Sequence, residues 1–69
     1  MTFELLSVVS SLVDLPAKGV KNGMPGTIVE VYGDGQYEVE FVDADGYTFA
    51  LVTLSGDYLH ARSKLKKAA

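Results

Sequence analysis

Hydrophobic and polar residues alternate in the middle of the chain. Tyr37, Val39 and Phe41 are separated by Glu38 and Glu40. An alternation with period two is typical of a β-strand that has one buried and one solvated face. The segment "YEVEFV" is therefore predicted to be a strand with its tyrosine, valine and phenylalanine in the core.

The apolar N-terminal stretch "LLSVVSSLVDL" is also predicted to be a strand. It is rich in β-branched residues and ends at Pro16, which restricts Leu15 to extended geometry. A helical face through Phe3, Leu6 and Val9 is the alternative, but the valines and serines between residues 7 and 13 have low helix propensity.

The rest of the chain divides into short strands separated by turn sequences. "PAKGVKNGMPG" predicts an ordered loop, because it holds three glycines and two prolines. Strands follow at "TIVEVY", "YEVEFV" and "YTFALVTL", then a short helical turn at "SGDYL" opened by Ser55, and a last strand at "LHAR". This order predicts an all-β, small SH3-like five-stranded barrel with one short 3-10 turn before the last strand. Residues 1–62 form its single domain, and residues 63–69 are a basic tail that we expect to be disordered.

Two glycine-ending loops fix the expected strand register. A loop of Gly33, Asp34 and Gly35 pairs Val31 with Tyr37 and Val29 with Val39, with a left-handed glycine at its last position. A second loop of Ala44, Asp45 and Gly46 pairs Phe41 with Phe49 and Val39 with Leu51. One apolar face is expected from this register: Val29, Val31, Tyr37, Val39, Phe41, Phe49 and Leu51.

The strand "YTFALVTL" is apolar on both sides. In the expected register Ala50, Val52 and Leu54 lie beside Glu38 and Glu40, and the other register places Tyr47, Phe49 and Leu51 there instead. Either a bulge turns one row into the core, or the row is an interface, since contiguous exposed apolar surface marks association. The predicted protein interface consists of Ala50, Val52, Leu54, Tyr47, Glu38 and Glu40.

Composition limits the possible functions. The chain has 69 residues and no cysteine, which removes disulfides and thiolate metal sites and fits a reducing cytoplasm. Residues 1–61 hold all nine acids against Lys18 and Lys21, a balance of 2 − 9 = −7, and cations follow at positions 62, 64, 66 and 67. "MTFELLSVVSSLVDLP" has no basic leader and meets Asp14 too early for a membrane span. A small acidic cytoplasmic protein is expected.

The residues that could carry chemistry do not form a recognisable catalytic or metal motif. His60 is the single histidine, and no nucleophile accompanies it and Asp57 in a known arrangement. "DADG" resembles the start of a calcium loop, but Tyr47 and Phe49 occupy the next ligand positions. We expect no enzyme activity, no metal, no cofactor and no small-molecule substrate.

The segment "DLPAKGVKNGMPGTIVEVYGDGQYEVEFVDADGYTFALVTLSGDYL" carries a family resemblance. Its D-L-P, G-T-I-V-E, Y-E-V-E-F and D-G-Y-T-F-A strings resemble those of small bacterial proteins grouped as domain of unknown function 4926. The resemblance runs from about residue 5 to residue 60, with Ser7 standing where relatives often carry an acid. It implies an SH3-like barrel with a binding partner or a toxin-neutralising role.

Two further binding modes follow from smaller signals. "KGVKNGMPGTIVEVY" resembles the KOW segment of transcription and ribosomal proteins, which implies nucleic-acid contact through Lys18, Lys21, Arg62 and Lys64. Three tyrosines are candidates for a proline-rich peptide groove, although such grooves usually contain a tryptophan, and this chain has none. They are Tyr32, Tyr47 and Tyr58.

The sequence favours a non-enzymatic protein-interaction module that forms a homodimer or binds a cognate protein through its third and fourth strands. The alternative is a KOW-like module that contacts nucleic acid, which the acidic body disfavours because it repels phosphate. No membrane partner is expected.

Overall fold

The computed structural model describes residues 2–62 and shows an all-β chain. Its five strands and two 3-10 helices follow one another as β1 (Val8–Ser11), η1 (Pro16–Lys18), β2 (Pro25–Val31), β3 (Gln36–Val42), β4 (Thr48–Ser55), η2 (Gly56–Tyr58) and β5 (Leu59–Ala61). The all-β class and the strand count confirm the sequence prediction. The expected tail over residues 63–69, which includes Lys64, lies outside the described residues.

The strands form one antiparallel sheet in the order β4-β3-β2-β1-β5. β4 and β5 are the two ends of this order, so the backbone pairing does not close on itself. The strand order and the antiparallel pairing are therefore established, whereas the SH3-like barrel stays a prediction.

Both hairpin turns have the predicted geometry. Gly35 and Gly46 have φ values of 85° and 86°, the left-handed conformation that glycine adopts without steric cost. Tyr32 N–H donates to Gln36 C=O at 3.0 Å, which leaves three residues in the first turn. Asp43 N–H donates to Tyr47 C=O at 2.8 Å across the second turn. The three-residue loops, and the pairing of Val31 with Tyr37, are confirmed.

A bulge beyond each turn makes the rest of the predicted register wrong. In the first hairpin the register shifts between Ile28 and Glu30, so Ile28 and not Val29 pairs with Val39. In the second hairpin it shifts beside Phe41, which pairs with Ala50 instead of Phe49. Each bulge adds one residue to a strand and so moves all later side chains to the opposite face.

The core receives side chains from every strand and from the segment before β1. Phe3 packs edge-on against Tyr37, with ring centroids 5.4 Å apart, and the Phe3 N–H donates to the Tyr37 hydroxyl at 3.0 Å. These contacts tie the segment before β1 to β3 in the middle of the sheet. The buried hydrophobic residues are Phe3, Val9, Val20, Ile28, Tyr37, Val39, Phe41, Ala50, Leu54 and Leu59.

The connections between strands confirm one predicted helical turn and add another. Ser55 caps η2 as expected, because its Oγ accepts a hydrogen bond from Asp57 N–H at 3.1 Å. The loop before β2 contains a second 3-10 helix, η1, which the prediction of a single 3-10 turn omitted. Pro16 starts η1, and Gly19 ends it with a φ of 75°.

Within residues 2–62, no helix has the length and the apolar character that crossing a membrane would require.

Candidate protein-interaction surface

The apolar row that the sequence assigned to an interface lies largely in the core. Ala50 and Leu54 are each 7% exposed, and Val52 is half-buried and packs against the core cluster. The bulge at Phe49 causes this difference, because it pairs Ala50, Val52 and Leu54 with the buried residues of β3. The predicted placement of these three residues beside the glutamates was therefore wrong.

Leu51 takes the surface position instead. Its side chain is 53% exposed, and it lies opposite Glu40, while Thr53 lies opposite Glu38. We call the face that carries Glu38, Glu40, Leu51 and Thr53 the outer face. Of the six predicted interface residues, only the two glutamates lie on it.

The remaining members of the apolar face expected from sequence separate into three groups. Tyr37, Val39 and Phe41 are buried as predicted. Val31 is 42% exposed and Phe49 is 41% exposed. The remaining residue, Val29, is half-buried.

Phe49 and Tyr47 do not continue the outer face. A Cβ added to Gly19 would lie 3.7 Å from the Phe49 ring, and the Phe49 and Phe41 ring centroids are 6.4 Å apart, so Phe49 lies at the rim of the core. Tyr47 is 72% exposed at the second turn, at the far end of β4 from η2. Leu51 is therefore the exposed apolar residue in the middle of β4.

Threonine hydroxyls hold the outer-face carboxylates in place. Thr53 Oγ1 donates to Glu38 Oε1 and Thr48 Oγ1 donates to Glu40 Oε2, each at 2.6 Å. Distances this short are typical of charge-assisted hydrogen bonds. The sequence analysis missed both threonines. Thr53 directly faces Glu38, which is a readable signal once the register is known, whereas Thr48 lies opposite Val42 and reaches Glu40 diagonally.

Tyr32 extends this network to β2. Its hydroxyl donates to Glu38 Oε1 at 3.3 Å, and Glu30 lies directly opposite Glu38. Partial desolvation is the largest cause that raises the pKa of Tyr32. The negative charge of Glu38 and its hydrogen bond raise this pKa further, and the charge of Glu30 adds to the effect. A hydrogen bond with the Thr53 side chain lowers the pKa of Tyr32.

The Tyr32 titration tests this network. We expect Glu38→Gln to lower the pKa of Tyr32, because the substitution removes the nearest negative charge that opposes phenolate formation. Because the folded-state pKa is raised, the stabilising contribution of Tyr32 is present below its unfolded value and is lost as the pH rises through the folded value. NMR titration of the tyrosine ring carbons measures the shift, with Glu4→Gln as the control. A Tyr32 pKa equal in the wild type and Glu38→Gln would contradict the arrangement.

The cations proposed for nucleic-acid contact lie around the loop before β2. Lys18 ends η1 and Lys21 follows it, both exposed. Arg62 reaches the same loop, because its Nη2 donates to Gly23 C=O at 3.2 Å while its Nε donates to Ser10 Oγ at 2.9 Å. The two lysines therefore lie on the loop before β2, and Arg62 contacts the same loop.

The other candidate residues do not form a common site. Tyr32 and Tyr47 flank opposite ends of β3, about 20 Å apart for a strand of this length, so the three tyrosines do not line one groove. His60 is exposed on β5 and lies opposite Ser10. Among the described residues there is no cluster of three His, Cys, Asp or Glu side chains able to hold a metal ion. Asp43 accepts hydrogen bonds from the Asp45 and Tyr47 N–H groups and so serves the second turn.

Fold and surface together define a small, all-antiparallel β domain with an acidic outer face. A family model described as "Domain of unknown function (DUF4926)" matches residues 5–61, and the chain belongs to that family. This confirms the resemblance in the sequence. No curated protein and no solved structure gives a significant match.

Proposed function

We propose that this chain is a non-enzymatic protein-interaction module that works by homodimerisation or by binding a cognate protein, through β4 and the outer face beside it. The SH3-like barrel remains part of this proposal, supported by the strand order and by η2 before the last strand. The cysteine-free composition supports a cytoplasmic location. Neutralisation of a toxin is one form that binding to a cognate protein takes.

The position of Leu51 carries the proposal. Its side chain is about half-exposed in the middle of the longest strand, between carboxylates that are already held by threonines. Fully burying an exposed leucine contributes about 1.5–3 kcal/mol, and Leu51 is 53% exposed, so a partner that covers it gains roughly half of that amount. Because hydrogen bonds fix the surrounding glutamates, little side-chain entropy is lost when a partner binds.

Substitution of Leu51 tests this function. We expect Leu51→Glu to weaken self-association, or the capture of a cognate protein, at least about tenfold, because it places a charge in the contact beside Glu40. Leu12→Glu is the matched control, since Leu12 is 44% exposed and lies after β1, away from the outer face. Sedimentation equilibrium measures self-association, and affinity purification of the tagged full chain from its native cells measures partner binding. If the chain neither self-associates nor captures a protein, or if Leu51→Glu and Leu12→Glu weaken binding equally, the proposed function is rejected.

Nucleic-acid contact is a second candidate, which the placement of Lys18 and Lys21 on the loop that Arg62 contacts favours. Arg62 is engaged with Ser10 and Gly23, and nine acids face three cations within residues 2–62. If this candidate holds, binding of a fluorescent single-stranded RNA falls steeply as salt is added and weakens in Lys21→Gln. An association that is insensitive to salt and lost in Leu51→Glu supports the protein interface instead.

A further inference from the structure

The geometry points to β4 as an edge strand that pairs antiparallel with β4 of a second copy of this chain, about a two-fold axis at Val52. This inference rests on the proposed function and specifies its homodimeric form. The partner of the site is thus a second copy, and the contact is backbone pairing rather than the stacking of two outer faces.

The hydrogen-bond phase of the sheet shows which backbone groups β4 leaves free. Gly56 N–H donates to Gly35 C=O, and Asp43 N–H donates to Tyr47 C=O, so the odd-numbered residues of β3 bond toward β4. Bonded and non-bonded pairs alternate in an antiparallel ladder, which makes Ala50, Val52 and Leu54 the residues that bond to β3. The N–H and C=O groups of Leu51 and Thr53 therefore point away from the sheet, toward the open edge.

β4 lacks the features that usually protect an edge strand. Protective edges are short, or carry a lysine, a proline or a bulge. β4 spans eight residues without any charge or proline, and its one bulge, at Phe49, leaves the segment from Ala50 to Ser55 regular. The opposite edge, β5, has only three residues. β4 is thus the accessible end of the described sheet.

The lack of charge also indicates that the partner is the same strand. A two-fold axis brings each edge to an identical edge, so a charge at the axis would meet its own sign and a charge elsewhere on the edge would be desolvated against an uncharged residue. In the described part of the chain, β2 carries Glu30 and β3 carries Glu38 and Glu40, whereas β4 carries no charge. An edge that bound a charged strand of another protein would instead carry complementary charges, which β4 lacks. The β3 glutamates of the two copies would be three strand spacings apart, roughly 14 Å, which exceeds the Debye length of about 8 Å.

An axis at Val52 gives matched pairs on both faces. Leu51 then lies opposite Thr53 of the second copy on the outer face, and these two residues exchange backbone hydrogen bonds. Ala50 lies opposite Leu54 of the second copy on the other face. Val52 meets its own counterpart in a non-hydrogen-bonded pair, for which the Cα atoms are about 4.5 Å apart.

Sedimentation equilibrium of the full chain with two threonine variants tests the edge contact. We expect Thr53→Lys to raise the dimer dissociation constant at least about tenfold, because it desolvates a charge against Leu51 of the second copy. Thr48→Lys is the matched control and should leave the constant unchanged. Both threonines donate to a β3 glutamate at 2.6 Å, but Thr48 precedes the bulge. Circular dichroism of each variant establishes that it is folded.

Single cysteines in this cysteine-free chain test the register. Under oxidised glutathione, Val52→Cys should form an intermolecular disulfide in most of the protein, since about 4.5 Å between Cα atoms suits this bond. Tyr47→Cys, although more exposed, should not cross-link, because the two copies of that position would be about 34 Å apart along the strands.

The outcomes separate this inference from the proposed function. If Thr48→Lys and Thr53→Lys raise the dimer dissociation constant equally, edge pairing is overturned while the interaction module stands. Faster cross-linking of Tyr47→Cys than of Val52→Cys has the same meaning. A monomer at several hundred micromolar would also overturn edge pairing. If a cognate protein is then captured and Leu51→Glu abolishes its capture, the proposed function is still supported. If no such protein is captured, both edge pairing and the proposed function are overturned.

Discussion

Replacing Phe41 with alanine should destabilise the fold by about 3–5 kcal/mol, the usual cost of removing a buried phenylalanine ring. Phe41 is fully buried and is the largest of the residues with almost no exposure. A chain of this length has a total stability of roughly 3–10 kcal/mol, so the variant should be largely unfolded or close to it. Urea denaturation followed by circular dichroism measures the loss.

Phe49→Ala is the matched control for Phe41→Ala. The two rings are neighbours, with centroids 6.4 Å apart, but Phe49 is 41% exposed. Its removal exposes less new surface and leaves a gap that water can fill, so the loss should be about half that of Phe41→Ala or less. Similar losses from the two variants would show that Phe49 contributes to the core as much as Phe41 does, contrary to its exposure.

Replacing Gly26 with alanine should cost about 1–3 kcal/mol, the range for overpacking a core. A Cβ at this position would lie 2.6 Å from Val39 Cγ1 and 2.9 Å from Phe41 Cε1. Neither neighbour has room to withdraw, because Val39 and Phe41 are both fully buried. The need for glycine here is therefore steric and comes from the close approach of these side chains to β2.

Gly33→Ala is the control for Gly26→Ala. No heavy atom lies within 4 Å of a Cβ added at Gly33, so this substitution should change stability by no more than about 0.5 kcal/mol. A double variant sharpens the test: Val39→Ala removes the atom closest to the added methyl, so it should cost less in the Gly26→Ala background than in the wild type. Strictly additive losses would contradict the proposed clash.

Local signals in the sequence predicted the five strands, η2 and both turns. Gly35 and Gly46 are left-handed, as their loops required, and Ser55 caps η2. The alternation of Tyr37, Val39 and Phe41 with glutamates also predicted the buried side of β3. These predictions were correct because turn conformation and strand alternation depend on residues only a few positions apart.

The candidate surface was predicted only in part. The sequence identified β3 and β4, and it identified Glu38 and Glu40, but it assigned the wrong row of β4 to the surface. Both β4 rows are apolar, so hydrophobicity alone left the choice between Leu51 and Val52 open. The bulge at Phe49 made that choice.

The sequence by itself determined the all-β class, the order of the strands, the two turns and membership of the family. The tertiary structure alone decided the register beyond each turn, and with it which apolar row of β4 faces water. A bulge appears where a strand must bend around a core, and this core includes Phe3 and Val9, which are distant in sequence from both hairpins. Because one extra residue moves every later side chain to the other face, a contact between remote parts of the chain set the surface that we propose for binding.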